Sequence, residues 1–409
     1  LEGAGSDRFG ASFSISGDYA VIGAPWHNNS GSVKILKRQK SSWIEVISLS
    51  SDQNEKGDVF GYSVSISGAY AAIGAPGDDD KGKDSGAVYI YQQSDSSWQQ
   101  LAKLYASDGE SGDAFGFSVS ISGDYAIIGA PFANVAGNDS GSAYIFQRNG
   151  SDWGQVAKLT ASNVEADDLF GISVGISGNS AVVGTRTAGS AYIFQLIGGY
   201  WQQIVELITS DDEGNFGYSV AISGDYVIVQ SPGDNSGLAY IFQRIGIDWQ
   251  QVAKLTTNAG SSPLAGIFNS SVAISGKYAV IGTTGDKTKG DDSGSAYIFQ
   301  QNENSWTQVA KLVANDGESE DFFGHSVSIS EDYVVVGAPG DDSSGNGSGS
   351  AYLFRRSGKY LPESAKLSID DNQADKEFGY SVAISNPYAI VGVPGDDDNG
   401  NLSGSAYIF

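Results

Sequence analysis

The chain has 409 residues, of which 48 are acidic and 23 are basic, so its formal net charge at pH 7 is −25. This charge disfavours nucleic acid and anionic membrane surfaces as partners, because both are bound mainly through Lys and Arg. Cysteine and methionine are absent, which excludes disulfides, zinc–thiolate sites and cysteine nucleophiles.

Apolar residues make up 40% of the chain, enough to bury a large core. No apolar run reaches the ~18 to 20 residues of a membrane-spanning helix, so we expect no membrane insertion. The first residue is Leu1 and not Met, so we expect a processed or trimmed chain.

A segment of roughly fifty residues recurs eight times along the chain. Each copy begins at a Phe, and the copies start near residues 9, 60, 115, 170, 216, 268, 323 and 378. A repeat of this length is one supersecondary unit, and neighbouring units share a continuous core. The eight copies therefore predict a single architecture over residues 1–409 rather than two or three unrelated domains.

The copy that starts at Phe60 contains four predicted strands. In the first strand Val64 and Ile66 alternate with serines, which is the period-two pattern of a strand. A tight turn follows, and further strands are predicted at 70–75, 87–91 and 98–104. Pro76 ends the second strand, and no segment has helical periodicity. Four short antiparallel strands in each copy predict a β-propeller blade.

The aromatic and serine residues of each copy have predicted packing roles. Small serines on one side of the first strand should allow neighbouring blades to approach closely. The recurrent Phe and Trp should fill the wider gaps between blades, because large aromatic side chains bury the most apolar surface.

The first three strands occur eight times, whereas the fourth occurs seven times, beginning at Trp43, Trp98, Trp153, Trp201, Trp249, Trp306 and Tyr360. The chain stops at Phe409, where the eighth third strand ends. The sequence therefore predicts an all-β, eight-bladed β-propeller of four-stranded antiparallel blades. The last blade lacks its outer strand unless the natural chain extends beyond one end. Copy six departs most, with Phe268-Asn269 in place of Phe-Gly.

The acidic loops between the second and third strands are the first candidate metal sites. The two strongest loops offer Asp78, Asp80 and Asp84 in blade 2, and Asp396, Asp398 and Asn401 in blade 8. Calcium binds about 6–8 oxygens, and three close carboxylates that repel one another gain most from a divalent ion. We therefore predict calcium at these loops first, with weaker versions in blades 6 and 7. The alternative is that Asp, Gly and Ser only form turns.

One loop provides an internal control for the predicted calcium sites, and a second set of loops provides further candidates. The loop of blade 3 has the same length but carries Ala133 and Val135 at the ligand positions, so it should stay empty. The loops that lead into the next Phe-Gly are a second set of candidates, with matching acids at Asp108, Glu110, Asp113, Asp316, Glu318 and Asp321. Capping and hairpin roles are the alternative for these acids.

Signals for catalysis are few. The only histidines are His27 and His325, each at a position where the other copies differ, and packing is favoured for His325. No Ser-His-Asp order, paired-histidine metal motif or phosphate loop is present. We therefore predict no catalytic residues and a protein that is not an enzyme. The alternative is a carbohydrate-active lyase or hydrolase, whose acidic pair could be recognised only from distances.

The pairing of Phe115-Gly116 with Gly129-Ala130-Pro131 resembles the FG-GAP repeat, and it recurs at residues 9–10 with 23–25, 60–61 with 74–76 and 323–324 with 337–339. The family includes the N-terminal propeller of integrin α-subunits and many secreted or surface proteins of microbes. The resemblance implies a β-propeller, an extracellular or cell-surface location, and binding or adhesion more often than catalysis. Many members carry a calcium loop between the first two strands of a blade. This chain has tight turns there, such as Gly123-Asp124, so that site is not carried over.

The predicted function is therefore extracellular binding or adhesion. The residues leave three partner classes open: glycans, extracellular proteins, and other copies of the chain in a surface layer or filament. Eight similar clefts with Tyr, Trp, Asp and Asn would suit repeating glycans bound multivalently. Asn-x-Ser sequons at Asn28, Asn138, Asn149, Asn269, Asn346 and Asn401 predict glycosylation if the source is eukaryotic.

Overall fold

The structure is a computed structural model that describes residues 6–40, 42–51, 55–94, 97–187, 189–208, 216–231, 238–257, 271–303, 305–330, 332–357, 360–369, 373–386 and 388–409. In these ranges the regular structure is β-strand, apart from one 3₁₀ turn at His27–Asn29. No helix in the described ranges has the length and apolar character needed to cross a membrane.

The first sixteen strands form four blades. Blade 1 contains β1 (Ser12–Ser16), β2 (Tyr19–Ala24), β3 (Ser32–Gln39) and β4 (Ser42–Leu49). Blade 2 contains β5 (Val64–Ser67), β6 (Tyr70–Ala75), β7 (Ala87–Ser94) and β8 (Ser97–Leu104). Blade 3 contains β9 (Ser118–Ser122), β10 (Tyr125–Ala130), β11 (Ser142–Asn149) and β12 (Asp152–Leu159). Blade 4 contains β13 (Ser173–Ser177), β14 (Ser180–Gly184), β15 (Ala191–Ile197) and β16 (Tyr200–Leu207).

The remaining fifteen strands form four more blades. Blade 5 contains β17 (Val220–Ser223), β18 (Tyr226–Ser231), β19 (Leu238–Ile245) and β20 (Asp248–Thr256). Blade 6 contains β21 (Val272–Ser275), β22 (Tyr278–Thr283), β23 (Ser295–Asn302) and β24 (Ser305–Leu312). Blade 7 contains β25 (Ser326–Ser330), β26 (Tyr333–Ala338), β27 (Ser350–Arg355) and β28 (Glu363–Leu367). Blade 8 contains β29 (Ser381–Ser385), β30 (Tyr388–Val393) and β31 (Ser405–Ile408).

Each blade is an antiparallel sheet whose strands pair in chain order, and the sheet of blade 8 has three described strands. This confirms the predicted all-β fold with eight propeller blades and a last blade without its fourth strand. By their contacts the blades fall into two compact units, with blades 1–4 in residues 6–210 and blades 5–8 in residues 211–409. The repeat predicted to start near residue 268 begins outside the described residues, and the single-domain assignment stays a prediction.

The glycines of the repeat bring neighbouring blades together. The amide of Gly116, in Phe-Gly of blade 3, donates a hydrogen bond to the carbonyl of Gly129 in the same blade. A Cβ on Gly129 would lie 2.0 Å from the carbonyl oxygen of Gly171, in Phe-Gly of blade 4. Gly23, Gly74, Gly282 and Gly337 meet the Phe-Gly glycine of the following blade in the same way. Only glycine allows this approach, and Gly171 also has a φ of 96°, which favours glycine.

The serines of the first strands tie the blades together by hydrogen bonds. The Oγ of Ser118 donates to the carbonyl of Gly171 at 2.8 Å, and the Oγ of Ser120 accepts the amide of Ile176 at 3.3 Å. The same bonds recur between blades 1 and 2, 2 and 3, and 7 and 8. These serines therefore do more than allow the predicted close approach. Each hydroxyl also forms a hydrogen bond with a backbone group of the next blade.

Aromatic side chains fill the gaps that the sequence assigned to them. Phe115 is fully buried and packs edge-on against Tyr144 of β11, with ring centroids 5.5 Å apart. Trp153 of blade 3 packs edge-on against Tyr70 of blade 2 at 6.1 Å, and the same pairing joins Trp98 to Tyr19. The Phe rings contact aromatic rings of their own blade, and Phe115 also packs in one core cluster with Val88 and Ile90 of blade 2. The Trp ring contacts join successive blades.

Blade 5 departs from the glycine rule. Gln230 stands where most other blades have the second glycine, and its side chain is fully buried. Neither polar atom of its amide has a hydrogen-bond partner in the part of the chain that the structure describes. The next copy is also the one that lacks Phe-Gly, and its Asn269 lies outside the described residues.

We expect Gly129→Ala to lower the free energy of unfolding by about 2–3 kcal/mol, because the new Cβ overlaps backbone that cannot move without shifting blade 4. Gly154→Ala in β12 is the matched control, since no heavy atom lies within 4 Å of its added Cβ. This control should be neutral or stabilising by up to about 1 kcal/mol. Thermal unfolding of both variants measures the difference, and equal midpoints would contradict the proposed blade contact.

Candidate functional site

The loop after the second strand and the loop before Phe-Gly are joined by backbone hydrogen bonds in blades 1, 2, 4, 7 and 8. In blade 2, the amide of Gly77 donates to the carbonyl of Asp58 at 3.1 Å, which joins the two loops. We call the space between these loops the loop cleft, defined in blade 2 by Asp58, Asp78 and Lys103. All the predicted calcium ligands lie on loops that border such clefts.

The loop cleft of blade 2 already holds a cation of this chain. Lys103 of β8 places its Nζ 2.9 Å from Asp78 and 2.6 Å from Asp80. The hydroxyl of Tyr89 donates to Asp78 at 3.1 Å, and that of Tyr105 donates to Asp80 at 2.6 Å. Burial alone would lower the pKa of Lys103, but its hydrogen bonds to Asp80, Tyr89 and Asp78 raise it well above its usual value. The lysine therefore stays charged and neutralises the acidic loop.

Blades 6 and 7 repeat this arrangement. Lys311 lies 2.8 Å from Asp286, and Lys366 lies 2.9 Å from Asp341 and 2.5 Å from Asp316. Burial alone would raise the pKa of Asp341, but hydrogen bonds from Ser343, Lys366 and Tyr352 lower it below its usual value. The fourth-strand lysine is thus a recurrent partner for the loop acids.

In blade 8 the loop acids are also paired with a lysine, but this lysine comes from a different part of the chain. It has no fourth strand in the structure, and Lys376 from the loop before Phe-Gly lies 3.0 Å from Asp396 and 3.1 Å from Asp398. Lys376 and Asp396 are almost fully buried. The Oδ2 atom of Asp396 is buried without a hydrogen-bond partner among the described residues. The acids of blade 8 are therefore less completely satisfied than those of blade 2.

In blade 3 another residue replaces the loop acid, and in blade 4 another residue replaces the lysine. In blade 3 Ala133 replaces the loop acid, and Lys158 pairs instead with Asp108 at 2.5 Å. In blade 4 Glu206 stands at the lysine position and accepts hydrogen bonds from Ser190 at 2.8 Å and Tyr192 at 3.4 Å. Burial, followed by the charge of Glu206, raises the pKa of Tyr192 to about 12.

A second acid recurs two residues before the motif Phe, and its pKa moves the other way. Asp321 in blade 7 and Asp58 in blade 2 are both almost fully buried. Burial, with help from the nearby charges of Asp341 and Asp78 respectively, raises each pKa to about 6. A pair of acids with pKa values pushed apart can mark an active site. Here the buried acid with a raised pKa recurs in two blades, which is typical of an architectural feature.

The structure brings together some of the predicted calcium ligands and not others. Asp78 and Asp80 share Lys103, and Asp396 and Asp398 share Lys376. Asp84 is exposed and lies 3.8 Å from Lys83, and Asn401 is exposed. No group of three acidic or histidine side chains in the described ranges is arranged to hold a metal ion. Calcium at blades 2 and 8 stays a prediction, and it would have to displace a lysine from the carboxylates.

The turns between first and second strands carry Asp–Arg pairs. Asp225 pairs with Arg244 at 2.5 Å, and Asp332 pairs with Arg356 at 3.3 Å. Asp124 pairs with Arg148 in the same manner. The aspartates of these pairs are exposed, so each pair holds the turn against the third strand but contributes little to stability individually.

The sequons at Asn28, Asn138, Asn149, Asn346 and Asn401 are all exposed, whereas Asn269 lies outside the described residues. In blades 1, 3, 7 and 8 the sequon serine is a buried residue of the loop, as with Ser348 and Ser403, which donate to the carbonyls of Asp341 and Asp396. These serines therefore have a structural reason to be present. Glycosylation stays a prediction.

Sequence reasoning missed the lysines. The pattern Ala-Lys-Leu recurs at the end of most fourth strands, at residues 102–104, 157–159, 253–255, 310–312 and 365–367. This recurrent lysine, at a constant position in a chain with acidic loops, was the signal in the sequence that could have predicted the pairing. Cross-strand register makes the link, because Lys103 lies opposite Tyr89 and Lys366 opposite Tyr352.

Comparison with known proteins agrees with this repeat geometry. The FG-GAP repeat family matches residues 1–35, 43–91, 98–146, 153–194, 201–242, 249–299, 306–354 and 362–409. The chain belongs to this family. Human integrin alpha-7 is 30% identical to the FG-GAP chain over 146 residues, which are 34% of this chain and 12% of that protein. The match thus spans about an eighth of the length of that relative.

Two solved structures share the fold. Saccharomyces cerevisiae Sqt1 has a TM-score of 0.52 at 10% identity, covering 85% of this chain and 84% of that one. A functionally unknown protein from Desulfotomaculum acetoxidans has a TM-score of 0.53 at 10% identity, covering 86% of this chain and 96% of that one. At this identity the likeness concerns the fold alone.

The raised pKa of Asp321 makes the stability of the FG-GAP chain depend on pH. Folded chains keep a proton that unfolded chains release between about pH 4 and pH 6, so stability falls as pH rises through this window. Asp321→Asn stays neutral, so it should be more stable than the wild type at pH 7.5, by on the order of 1 kcal/mol, with no gain at pH 4. Glu318→Gln, an exposed acid of the same loop, is the control. An equal gain at both pH values would contradict this assignment.

Lys103→Met should reveal whether the lysine stands in the place of a metal ion. Removing the ammonium leaves a buried carboxylate unpaired, which should cost on the order of 3 kcal/mol. Millimolar calcium should then raise the melting temperature of Lys103→Met more than that of the wild type. Lys81→Met, an exposed lysine of the same loop, should respond like the wild type. If calcium shifts all three proteins equally, Lys103 does not occupy a cation site.

Proposed function

We propose that this protein is a non-enzymatic, extracellular binding protein of the adhesion type, which recognises protein partners with the loop end of its blades. The observation that carries the proposal is an exposed aromatic surface beside the loop clefts. It is formed by the residue that follows Phe-Gly, which differs from blade to blade, and in blade 3 also by Phe132 of the loop after the second strand. Membership of the FG-GAP family and the partial similarity to integrin alpha-7 support the adhesion class.

In blades 2 and 3 the surface consists of Tyr62, Phe117 and Phe132. The rings of Tyr62 and Phe117 lie 5.0 Å apart, and those of Phe117 and Phe132 lie 5.9 Å apart. Tyr62 is 37% exposed, and neither Phe is fully buried. Partly exposed aromatic clusters of this kind commonly provide the central contacts of protein interfaces.

Blades 7 and 8 form a second patch of the same type. The ring of His325 lies 4.9 Å from that of Tyr380, which is 41% exposed. Burial lowers the pKa of His325 to about 4, so the ring is neutral at physiological pH and packs as an aromatic group. A cavity of 210 Å³ beside these rings is also lined by Asp375 and Glu377. An apolar floor with an acidic rim favours a partner that presents an apolar side chain next to Lys or Arg.

The charged clusters of the loop clefts favour a structural role over catalysis. Lysine–carboxylate pairs recur in blades 2, 3, 6 and 7, and in each the charge of the lysine is balanced by a carboxylate of this chain. A catalytic site would be expected in one place and not in several. The second candidate function, a carbohydrate-active enzyme, has no comparable observation in its favour.

An adhesion assay tests the proposal. Beads coated with the purified chain should bind to cells from the source organism or to its extracellular matrix, and trypsin treatment of that surface should abolish binding. Tyr62→Ser combined with Phe117→Ser should weaken binding at least about tenfold, as expected for aromatic anchors. Tyr200→Ser, at a 75% exposed residue at the outer turn of blade 4, is the matched control and should bind normally.

Three outcomes would contradict the proposal. These are no binding by the wild-type chain, binding that the double variant retains in full, and turnover of a polysaccharide by the purified chain. Binding lost after glycosidase treatment but kept after trypsin would identify a glycan in place of a protein partner. Circular dichroism should first show that the double variant is folded.

A further inference from the structure

The loop cleft of blade 1 holds a polar cavity. The cavity has a volume of 410 Å³ and is lined by His27, Asn28, Leu49, Lys56 and four serines. Among these described lining residues none carries a carboxylate, although the whole chain has a net charge of −25. The described lining therefore offers one ammonium and several hydroxyls on an acidic protein.

The cavity is explained by the absence from blade 1 of the fourth-strand lysine that pairs with cleft carboxylates in blades 2, 3, 6 and 7. The fourth-strand residue at this register is Lys103 in blade 2 and Lys366 in blade 7, but it is Ser48 in blade 1. Opposite Ser48 stands Lys34, at the position of the third-strand Tyr, and its ammonium lies 3.3 Å from Glu45. A short serine leaves open the space that a lysine side chain occupies in blades 2, 3, 6 and 7.

The loop acid is also replaced, by His27, whose ring is held from both sides. Its Nδ1 lies 2.6 Å from a carboxylate oxygen of Asp7, which is almost fully buried. Its Nε2 lies 2.9 Å from Nδ2 of Asn28. With the ring proton on Nδ1 donated to Asp7, Nε2 accepts a hydrogen bond from Asn28. The amide of Asn28 is thus oriented, and it keeps its oxygen and a second N–H for another partner.

We propose that this cavity binds a small polyhydroxylated carboxylate of monosaccharide size, such as a uronic acid. The Lys56 ammonium would pair with the carboxylate, and the serine hydroxyls and the Asn28 amide would bond to the ligand hydroxyls. The volume lies near the lower end of the ~300–1,000 Å³ range of small-molecule sites. This site is separate from the aromatic surface and does not depend on the proposed adhesion function.

The chemistry of the lining selects this ligand class over simpler ones. A small inorganic anion would use the lysine but leave most of the serine hydroxyls without a ligand partner. A neutral sugar would use the hydroxyls but leave the ammonium without a counter-charge. A ligand with both a carboxylate and several hydroxyls satisfies both parts of the cavity.

Isothermal titration calorimetry with sodium glucuronate tests the proposal on the full chain. The protein should come from a bacterial host that attaches no N-linked glycan, because the Nδ2 atom of Asn28 belongs to a sequon. We expect saturable binding to one site, with glucose, acetate and phosphate each at least tenfold weaker. No saturable binding of glucuronate, or equal binding of glucose, would overturn the proposal.

Two variants and one control assign the binding to this cavity. Ser48→Lys places in blade 1 the side chain that five other blades carry at the same register, so it should fold and should abolish binding by filling the cavity. Lys56→Gln should weaken glucuronate binding about tenfold without changing the weak glucose binding. Lys277→Gln, an exposed lysine in blade 6, should bind like the wild type. Full binding by folded Ser48→Lys would show that the ligand sits elsewhere.

Discussion

The contact between two glycines of successive blades is the constraint on which the rest of this structure depends. Where Gly129 touches the carbonyl of Gly171, the first strands lie close enough for serine hydroxyls to reach the next backbone. The close contact between blades also positions the buried Phe, because this residue directly precedes the Phe-Gly glycine in the chain. Residues such as Val59 and Ala114, one position before the Phe, have a φ of 57° and 53°. The backbone accepts this uncommon conformation because the surrounding contacts fix it.

Charge balance in the loop clefts is the second constraint, and the blades meet it in different ways. Blades 2, 6 and 7 place a fourth-strand lysine against a loop acid, as Lys103 does with Asp78. Blade 8 uses Lys376, at the position that is an acid in blades 2 and 7. Blade 1 removes both charges and uses the Asp7–His27 pair. A buried carboxylate without a cation would be costly, so a change at one of these positions leaves the remaining charges paired, as Lys158 of blade 3 is with Asp108.

The division between constant and variable positions separates architecture from recognition. Glycines, serines and the Trp–Tyr pairs recur because successive blades within each compact unit pack against one another. The residue after Phe-Gly and the contents of the cleft vary, since neither is needed for that packing. The aromatic surface around Phe117 and the open cleft next to His27 both lie at variable positions. Binding can therefore diverge in this fold while the contacts between blades stay the same.

The sequence by itself determined the blade count, the strand order and the short last blade. These features follow from local patterns that repeat, and eight copies make each pattern reliable. It also indicated which aromatic residues form the core. The pairing of Asp78 with Lys103 was decided only by the tertiary structure, because the two residues stand 25 positions apart and meet through cross-strand register.

The cavity of blade 1 was likewise invisible in the sequence, where Ser48 is an ordinary strand residue. Its meaning comes from what fills the same place in other blades, and that comparison needs the register as well as the repeat. The periodicity of the sequence predicts the strands, because the alternation of apolar and polar residues is a local property of each strand. The spaces between side chains depend on residues from different strands and loops, so only the folded chain determines where a site is closed by a lysine and where it stays open.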